Sequence, residues 1–379
     1  MTDLAPVGRG KPAAELTVDD LPTYPPTLWG LLEQRAAATP DRVLLEDDTG
    51  RTMTAAQWRD TAEQVAAALY GRGITAETPV SWQLPTTHEA AVLLLALARL
   101  GAVENPIIPI LRQREVGFIV GQTGARLLIT PSVWRNFDYG ALARDVADVH
   151  GCETLVLDRG GLPLGDPSVL PPPPTGDGDP VRHIFYSSGT TADPKGVVHT
   201  HRTIGCEVRQ LSGHQAMRDR PSLVGAPVGH AIGMLGGLMC PLVGGKPLFL
   251  IDGWDPPTVL RAMVEEQIAA GSGSTYFFTS LLDCPGFGPE HVELMRYIGL
   301  GGSPIPNAVA ERADELGISL VRAYGCTEHP SVTGSEHTAP REKRIHTDGC
   351  PLEWVEIRTV DEDGRDVGIG LPGEILTRG

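Results

Sequence analysis

From Pro79 onward the chain alternates short apolar extended runs with runs of helical pattern, and that alternation limits the folds open to it. "PVSWQL" is an expected strand, His88 to Leu100 a helix, "ARLLIT" a strand, Tyr139 to Val149 a helix and "TLVLD" a strand. Strands alternating with helices argue for βαβ units and a mostly parallel sheet covered on its faces. A second block repeats the theme. Its expected strands are "SLVGA", "PLFLI", "STYFF", "RYIGL" and "SLVRA", with helices between them such as Pro256 to Ala270 and Ile305 to Leu316. The class is therefore α/β, with two similar, mostly parallel sheets flanked by helices in tandem, although no fixed-period repeat is evident.

The rest of the chain brackets these blocks. Residues 1–25 are Pro-rich and polar and read as a loose leader. "TLWGLLEQRAAATPDRV" has Leu28, Leu31, Leu32 and Ala36 at helical spacing, with Pro40 beyond its end. Two extended runs around "DDTG" suggest a hairpin. A second helix follows, with Thr54 as its N-cap and Gly71 to Gly73 as its stop. "GGLPLGDPSVLPPPPTGDGDP" continues neither element and reads as a linker. The expected units are thus 26–175, 176–345 and a β-rich 346–379, where "DEDG" and "GLPG" turns separate extended runs.

Composition narrows the partners. A chain of 379 residues suggests two to three domains, and its 41% hydrophobic content suits a globular protein. The net charge of −16 argues against general affinity for nucleic acid or anionic membranes, without excluding a local basic pocket for phosphate. Six scattered cysteines form no CxxC pair, which suits a reducing compartment. The N-terminus lacks an apolar signal core, and "AAVLLLALA" is only about half a membrane span, so a cytoplasmic location without stable membrane insertion is expected.

The stretch "YSSGTTADPKGVVHTH" carries the chemistry. Ser187, Ser188, Thr190 and Thr191 offer hydroxyl donors, and Gly189 and Gly196 let the backbone approach a ligand. Successive N–H groups in such a turn form an anion-binding nest, and Lys195 adds a point charge suited to phosphate. It is not a Walker P-loop, since Lys195 lies between Pro194 and Gly196. From composition alone, a solvated surface loop is equally consistent.

The order of its residues resembles the phosphate-binding signature of the adenylate-forming superfamily, which includes acyl-CoA synthetases, luciferases and peptide-synthetase adenylation domains. The one departure is Ala192, where that signature usually has Gly. Further segments match in the same order: "APVGHAIGM", "LGGSPIP", "AYGCTEHP" and "DGCPL…GLPGEILTRG". The resemblance covers the chain from about residue 27 and implies the large domain of an AMP-forming acyl-CoA synthetase. It implies a site as well. Gly301, Gly302 and Ser303 receive adenine at a strand end, Tyr324 stacks on the base, and Gly325 gives clearance. Thr327 donates to phosphate, and Glu328 ligates Mg²⁺ held jointly with the phosphates. His230 borders the acyl pocket and the path of the thiol, with Ile232, Gly233, Ala323 and Cys326 nearby. Thr190, Lys195, Glu328 and His230 are the implied catalytic residues. No role is assigned to His199 or His201.

The implied cofactors are ATP, Mg²⁺ and coenzyme A. A carboxylate attacks the α-phosphorus of ATP, and a thiol then displaces AMP to give a thioester. The resemblance implies that peptide-synthetase adenylation domains hold an amino group with an aspartate near this region. Pro221 to Ile251 contains no Asp or Glu, so an acid without an α-amino group is expected, and the apolar, glycine-rich run after His230 suggests an aliphatic or alicyclic one. There is a weak similarity to cyclohexanecarboxylate–CoA ligases. In "HAIGMLGGLMCPLVGG", glycines 233, 236 and 237 either leave space for the acyl tail or permit close helix packing. The family's "TGD"-type motif and its small C-terminal domain have no counterpart here, so the chain is expected to be nearly inactive alone. Loading of a carrier protein instead of coenzyme A, a non-catalytic binding module on the same fold, and a homodimer all stay open.

Overall fold

Thr27 starts helix α1 (Leu28–Ala38) by accepting the Gly30 N–H at 3.0 Å. In this computed structural model, residues 25–187, 193–214 and 221–379 are described. The expected leader lies almost wholly outside them. Strands β1 (Val43–Asp47) and β2 (Thr52–Thr54) form the expected hairpin. Helix α2 (Ala55–Gly71) begins in a capping box of Thr54 and Gln57.

The alternating block then follows. It comprises β3 (Pro79–Trp82), α3 (His88–Leu100), β4 (Val103–Pro106), α4 (Gln113–Thr123) and β5 (Leu127–Thr130). A small hairpin of β6 (Val133–Trp134) and β7 (Phe137–Asp138) leads into α5 (Tyr139–His150) and β8 (Glu153–Val156). Beyond the proline-rich segment come β9 (Val181–Ser187) and β10 (Lys195–Thr200). The first sheet runs β10-β9-β4-β3-β5-β8, and every pairing is parallel except that of β9 with β10. The sheet therefore continues past the proline run at Pro171–Pro174 and takes its last two strands from beyond it. All thirteen residues of α3 are buried; ten are apolar, and the polar ones, His88, Glu89 and Arg99, sit in its first and last turns.

The second block contains α6 (His201–His214), then α7 (Ala231–Met234), which passes through a π turn at Leu235–Met239 into α8 (Cys240–Gly244). After these come β11 (Leu248–Leu250), α9 (Pro256–Glu265), α10 (Thr275–Leu282), α11 (Pro289–Leu294), β12 (Tyr297–Leu300), α12 (Asn307–Glu315) and β13 (Ser319–Tyr324). The expected strand "STYFF" is instead the start of α10. Phe278, Leu281 and Leu282 are buried at helical spacing, and that face outweighs the β-propensity of its aromatic residues. The expected strand "SLVGA" makes only single parallel bridges, from Ser222 to Leu248 and to Ala269. With a further bridge from Gly273 to Leu300, these join β11 to the parallel pair β12–β13. Strands β14 (Thr333–Gly334) and β15 (Cys350–Pro351) extend that pair antiparallel, with α13 (Arg341–His346) between them. The β-rich end is the hairpin of β16 (Glu356–Val360) and β17 (Glu374–Arg378).

One ionic network ties early elements to late ones. Arg51 meets Asp47 at the end of β1 and Glu89 in α3, both at 2.8 Å. Gly160 N–H donates to Glu89 at 2.8 Å, and Arg159 joins Asp48 to Asp252 beyond β11. Burial alone would raise both the Asp47 and Glu89 carboxyls. The hydrogen bonds they accept, those from Arg51 among them, win and hold both low. Removing Arg51 leaves two buried carboxylates short of a cation. Arg51→Met should lower the urea-unfolding free energy by roughly 2–3 kcal/mol, below the range of about 3–5 kcal/mol for a fully buried pair, because Arg51 is itself partly exposed. A loss under about 0.5 kcal/mol, the size of an ordinary surface substitution, would contradict this network.

Candidate nucleotide and acyl site

The site forms at the carboxyl ends of the parallel strands, where open α/β sheets place their ligands. Strand β9 ends at Ser187, and its partner β10 opens at Lys195 directly opposite. Ser188, Gly189, Thr190 and Thr191 lie outside the described residues, but both ends of their loop are fixed by this pairing. Lys195 is exposed at its foot. Gly196 turns out to serve packing, because a Cβ there would sit 3.0 Å from the Tyr186 ring. Tyr186 donates its hydroxyl to Gln122 at 2.6 Å.

Strand β13 delivers the second segment. Tyr324 is exposed at its end, and its N–H donates to Thr333 Oγ1 at 3.2 Å. The chain then turns tightly, with reciprocal backbone bonds between Cys326 and His329. The clearance expected beside Gly325 is taken up by the turn itself, since an added Cβ would lie 2.0 Å from the Pro330 carbonyl oxygen. Cys326 and Glu328 are exposed on this turn, and Ala323 is exposed just before it. Burial, followed by the neighbouring Glu328 carboxylate, pushes the Cys326 thiol up.

A hydrogen bond that residue order did not foretell joins the two segments. His199 of β10 is 3% exposed, and its Nε2 lies 2.8 Å from the Thr327 carbonyl oxygen. That oxygen can only accept, so Nε2 carries the proton. Nδ1 meets Thr203 Oγ1 at 3.2 Å. Behind the turn, His329 Nδ1 meets Thr377 Oγ1 of β17 at 3.0 Å, and its Nε2 lies 4.0 Å from Glu207 of α6. Burial raises the Glu207 carboxyl to about 7, partly offset by a hydrogen bond with Ser331. His329 is held below the usual histidine range by burial and then by His199.

Gly301, Gly302 and Ser303 follow β12. Gly302 has φ +72, and an added Cβ would come 2.7 Å from Ile232 Cδ1, so the Ile232 side chain reaches this strand end. Ser303 Oγ accepts from the Thr275 N–H at 3.2 Å, which fixes the turn to the start of α10.

His230 caps α7, its Nδ1 accepting from the Ile232 N–H at 3.2 Å. It is exposed on a rim, yet surrounding protein pushes its imidazole below the usual range. That rim belongs to a small hollow lined also by Ile107, Leu111, Phe185, Tyr186 and Thr327. The hollow brings His230 and Thr327 together with the hairpin. The space expected at Gly233 is absent, because the Pro227 carbonyl oxygen would be 1.9 Å from an added Cβ. Gly237 similarly meets Val224 at 3.1 Å, so these glycines allow close packing and do not open a tail pocket. Much of the apolar wall comes instead from "PIIPIL", the run that leaves β4 at its carboxyl end.

Comparison with known proteins follows the same geometry. The chain is 27% identical over 370 residues to the medium-chain fatty-acid–CoA ligase of Escherichia coli, covering 93% of this chain and 65% of that protein. It is 31% identical over 385 residues to the 2-hydroxy-7-methoxy-5-methyl-1-naphthoate–CoA ligase of Streptomyces carzinostaticus, covering 92% of this chain and 66% of that protein. It thus spans just under two thirds of the length of either relative. Among solved structures, ATP-bound MatB from Rhodopseudomonas palustris matches with a TM-score of 0.82 at 22% identity, covering 94% of this chain and 70% of that one. The inhibitor-bound N-terminal domain of FACL13 from Mycobacterium tuberculosis matches with a TM-score of 0.79 at 25% identity, covering 93% and 88%. No helix among the described residues is long and apolar enough to cross a membrane. The family described as AMP-binding enzyme matches residues 32–379, and the chain belongs to that family.

Proposed function

We propose that the chain forms the nucleotide- and acyl-binding body of an AMP-forming acid–thiol ligase. The observation that carries this reading is the 2.8 Å bond from His199 to the Thr327 carbonyl, which holds the foot of the hydroxyl-rich loop against the Tyr324–Glu328 segment. In the proposed reaction a carboxylate oxygen bonds to the α-phosphorus of ATP and the bond to pyrophosphate breaks. Coenzyme A sulfur then bonds to the acyl carbon and AMP leaves.

The chain's residues serve mainly to position and to offset charge. Ser187, Lys195 and Thr327 would face the phosphates, together with Ser188, Gly189, Thr190 and Thr191. Tyr324 and Gly301 to Ser303 would receive the base. Glu328 is an exposed hard-oxygen donor that forms no ion pair among the described residues, which fits a Mg²⁺ ligand. No cluster of three or more such donors occurs among the described residues, so the phosphates would complete the ion's shell. Bound there, Mg²⁺ would supply charge neutralisation on the phosphate oxygens. His230, neutral at pH 7 and anchored through Nδ1, would present Nε2–H at the acyl rim. The aliphatic walls of the hollow, and the lack of Asp or Glu between residues 221 and 251, support an apolar acid without an amino group, aliphatic or alicyclic.

Calorimetric titration with ATP tests the reading. Mg²⁺ should tighten binding about tenfold in the natural chain and leave Glu328→Ala nearly unaffected, a difference near 1.4 kcal/mol. Equal ATP affinity in all four combinations would overturn it. His199→Ala should weaken ATP binding several-fold, while His199→Gln, whose amide N–H replaces the Nε2 donor, should restore most of it. If both variants bind like the natural chain, the hydrogen bond has no bearing on the site.

Glu207 predicts a pH dependence. Its carboxyl keeps a proton up to about pH 7 when folded, whereas the unfolded chain releases that proton near 4.5. Its contribution to stability is therefore present at low pH and fades as pH rises through this window, by roughly 3 kcal/mol at most. His329 is shifted down and acts in the opposite sense, so the comparison must be with Glu207→Gln. Denaturation between pH 4.5 and 7.5 should show the natural chain losing stability relative to that variant. Parallel profiles would contradict the shift.

A further inference from the structure

At the far end of β9 from the hydroxyl-rich loop lies a cavity of about 290 Å³. Arg182 is the second residue of the strand and Ser187 the last, so the two ends stand about 16 Å apart. Tyr70, Leu100, Pro172 and Pro174 give the cavity apolar walls, and Arg182 and Asp177 add charge. The proline segment is held over it by a hydrogen bond from Arg99 Nη1 to the Pro171 carbonyl at 3.0 Å.

Arg182 is only 6% exposed, and its Nε has no hydrogen-bond partner. Among the described residues its one hydrogen bond runs from Nη1 to the carbonyl of its neighbour Val181, at a long 3.4 Å. No carboxylate comes within ion-pair distance of it among the described residues. Glu77 acts on this charge through space but forms no ion pair with it, and a guanidinium does not shed its proton, so there is room for a directly bound anion. The fork of the guanidinium matches a carboxylate, and the Asp177 carboxylate in the wall opposes a doubly charged ligand. Apolar walls beside one cation fit a compact apolar body carrying one negative charge.

We propose that this cavity binds a small apolar monocarboxylate through Arg182, at a second site remote from the candidate nucleotide site. The inference does not depend on the proposed reaction.

Benzoate titrated calorimetrically into the full chain tests it, with Glu328→Ala as a background in which the nucleotide site is impaired. A benzoate-binding event should persist in Glu328→Ala and weaken at least about tenfold in Arg182→Gln. It should also weaken in Ala76→Phe, which fills the cavity from its rim and leaves the guanidinium intact. Neutral benzamide should bind at least about tenfold more weakly than benzoate to the natural chain, a comparison that needs no variant to fold. The proposal is overturned if benzoate does not bind at millimolar concentration, if benzamide binds equally well, or if Ala76→Phe binds benzoate like the natural chain. Loss of the Mg²⁺-dependent tightening of ATP binding in Glu328→Ala with benzoate binding unchanged would separate this site from the nucleotide reading.

Discussion

The architecture around the candidate site depends on one buried hydrogen bond. His199 and Thr327 are 128 residues apart, and their 2.8 Å contact fastens an edge hairpin of the first sheet to the turn after β13 in the second. Neither segment makes a cleft alone. The hairpin brings Ser187 and Lys195 to the end of a parallel sheet, and the turn presents an aromatic ring, a hydroxyl and a carboxylate. Because His199 is buried, water cannot replace its bond to the carbonyl at no cost, and the two sheets are held to one relative placement.

A second layer supports that turn from behind. His329 lies between Glu207 of α6 and Thr377 of β17, so the motif carrying Glu328 is braced by both the second block and the terminal hairpin. The Gln210 side chain also donates to the Glu353 carbonyl, a further tie from α6 to the chain leading into β16. Arg51, Asp47, Glu89 and Arg159 in turn lock the first hairpin to α3 and to the loop before the proline run. The site is thus framed by polar networks, while the apolar cores fix the sheets that carry them.

Sequence patterning captured the helices with uniform burial and the strands with uninterrupted apolar runs. Helix α3 and strand β5 needed no tertiary context to be read, since neither offers a polar face. Strand β4 was harder because it places Glu104 and Asn105 in the interior. Asn105 is tolerated there by accepting from Ser81 Oγ and donating to the Ile184 carbonyl, partners that only the folded sheet supplies. In α10, aromatic side chains hid a helical spacing that only burial reveals. The motif residues were legible through their order, but their partners were not. His199 looks like either of the two histidines in "HTH" until the fold brings β10 against Thr327. Gly233 and Gly325 are required by backbone carbonyls of Pro227 and Pro330 within their own motifs, brought close by the folding of each turn, which residue order alone does not show.

Hydrogen exchange with and without ATP·Mg²⁺ measures the central claim, that distant segments converge on one nucleotide cleft. The account predicts added protection together in three places: the β9–β10 hairpin, residues 300–303, and residues 324–329. Protection confined to one of these segments, or none in any of them at saturating nucleotide, would contradict it.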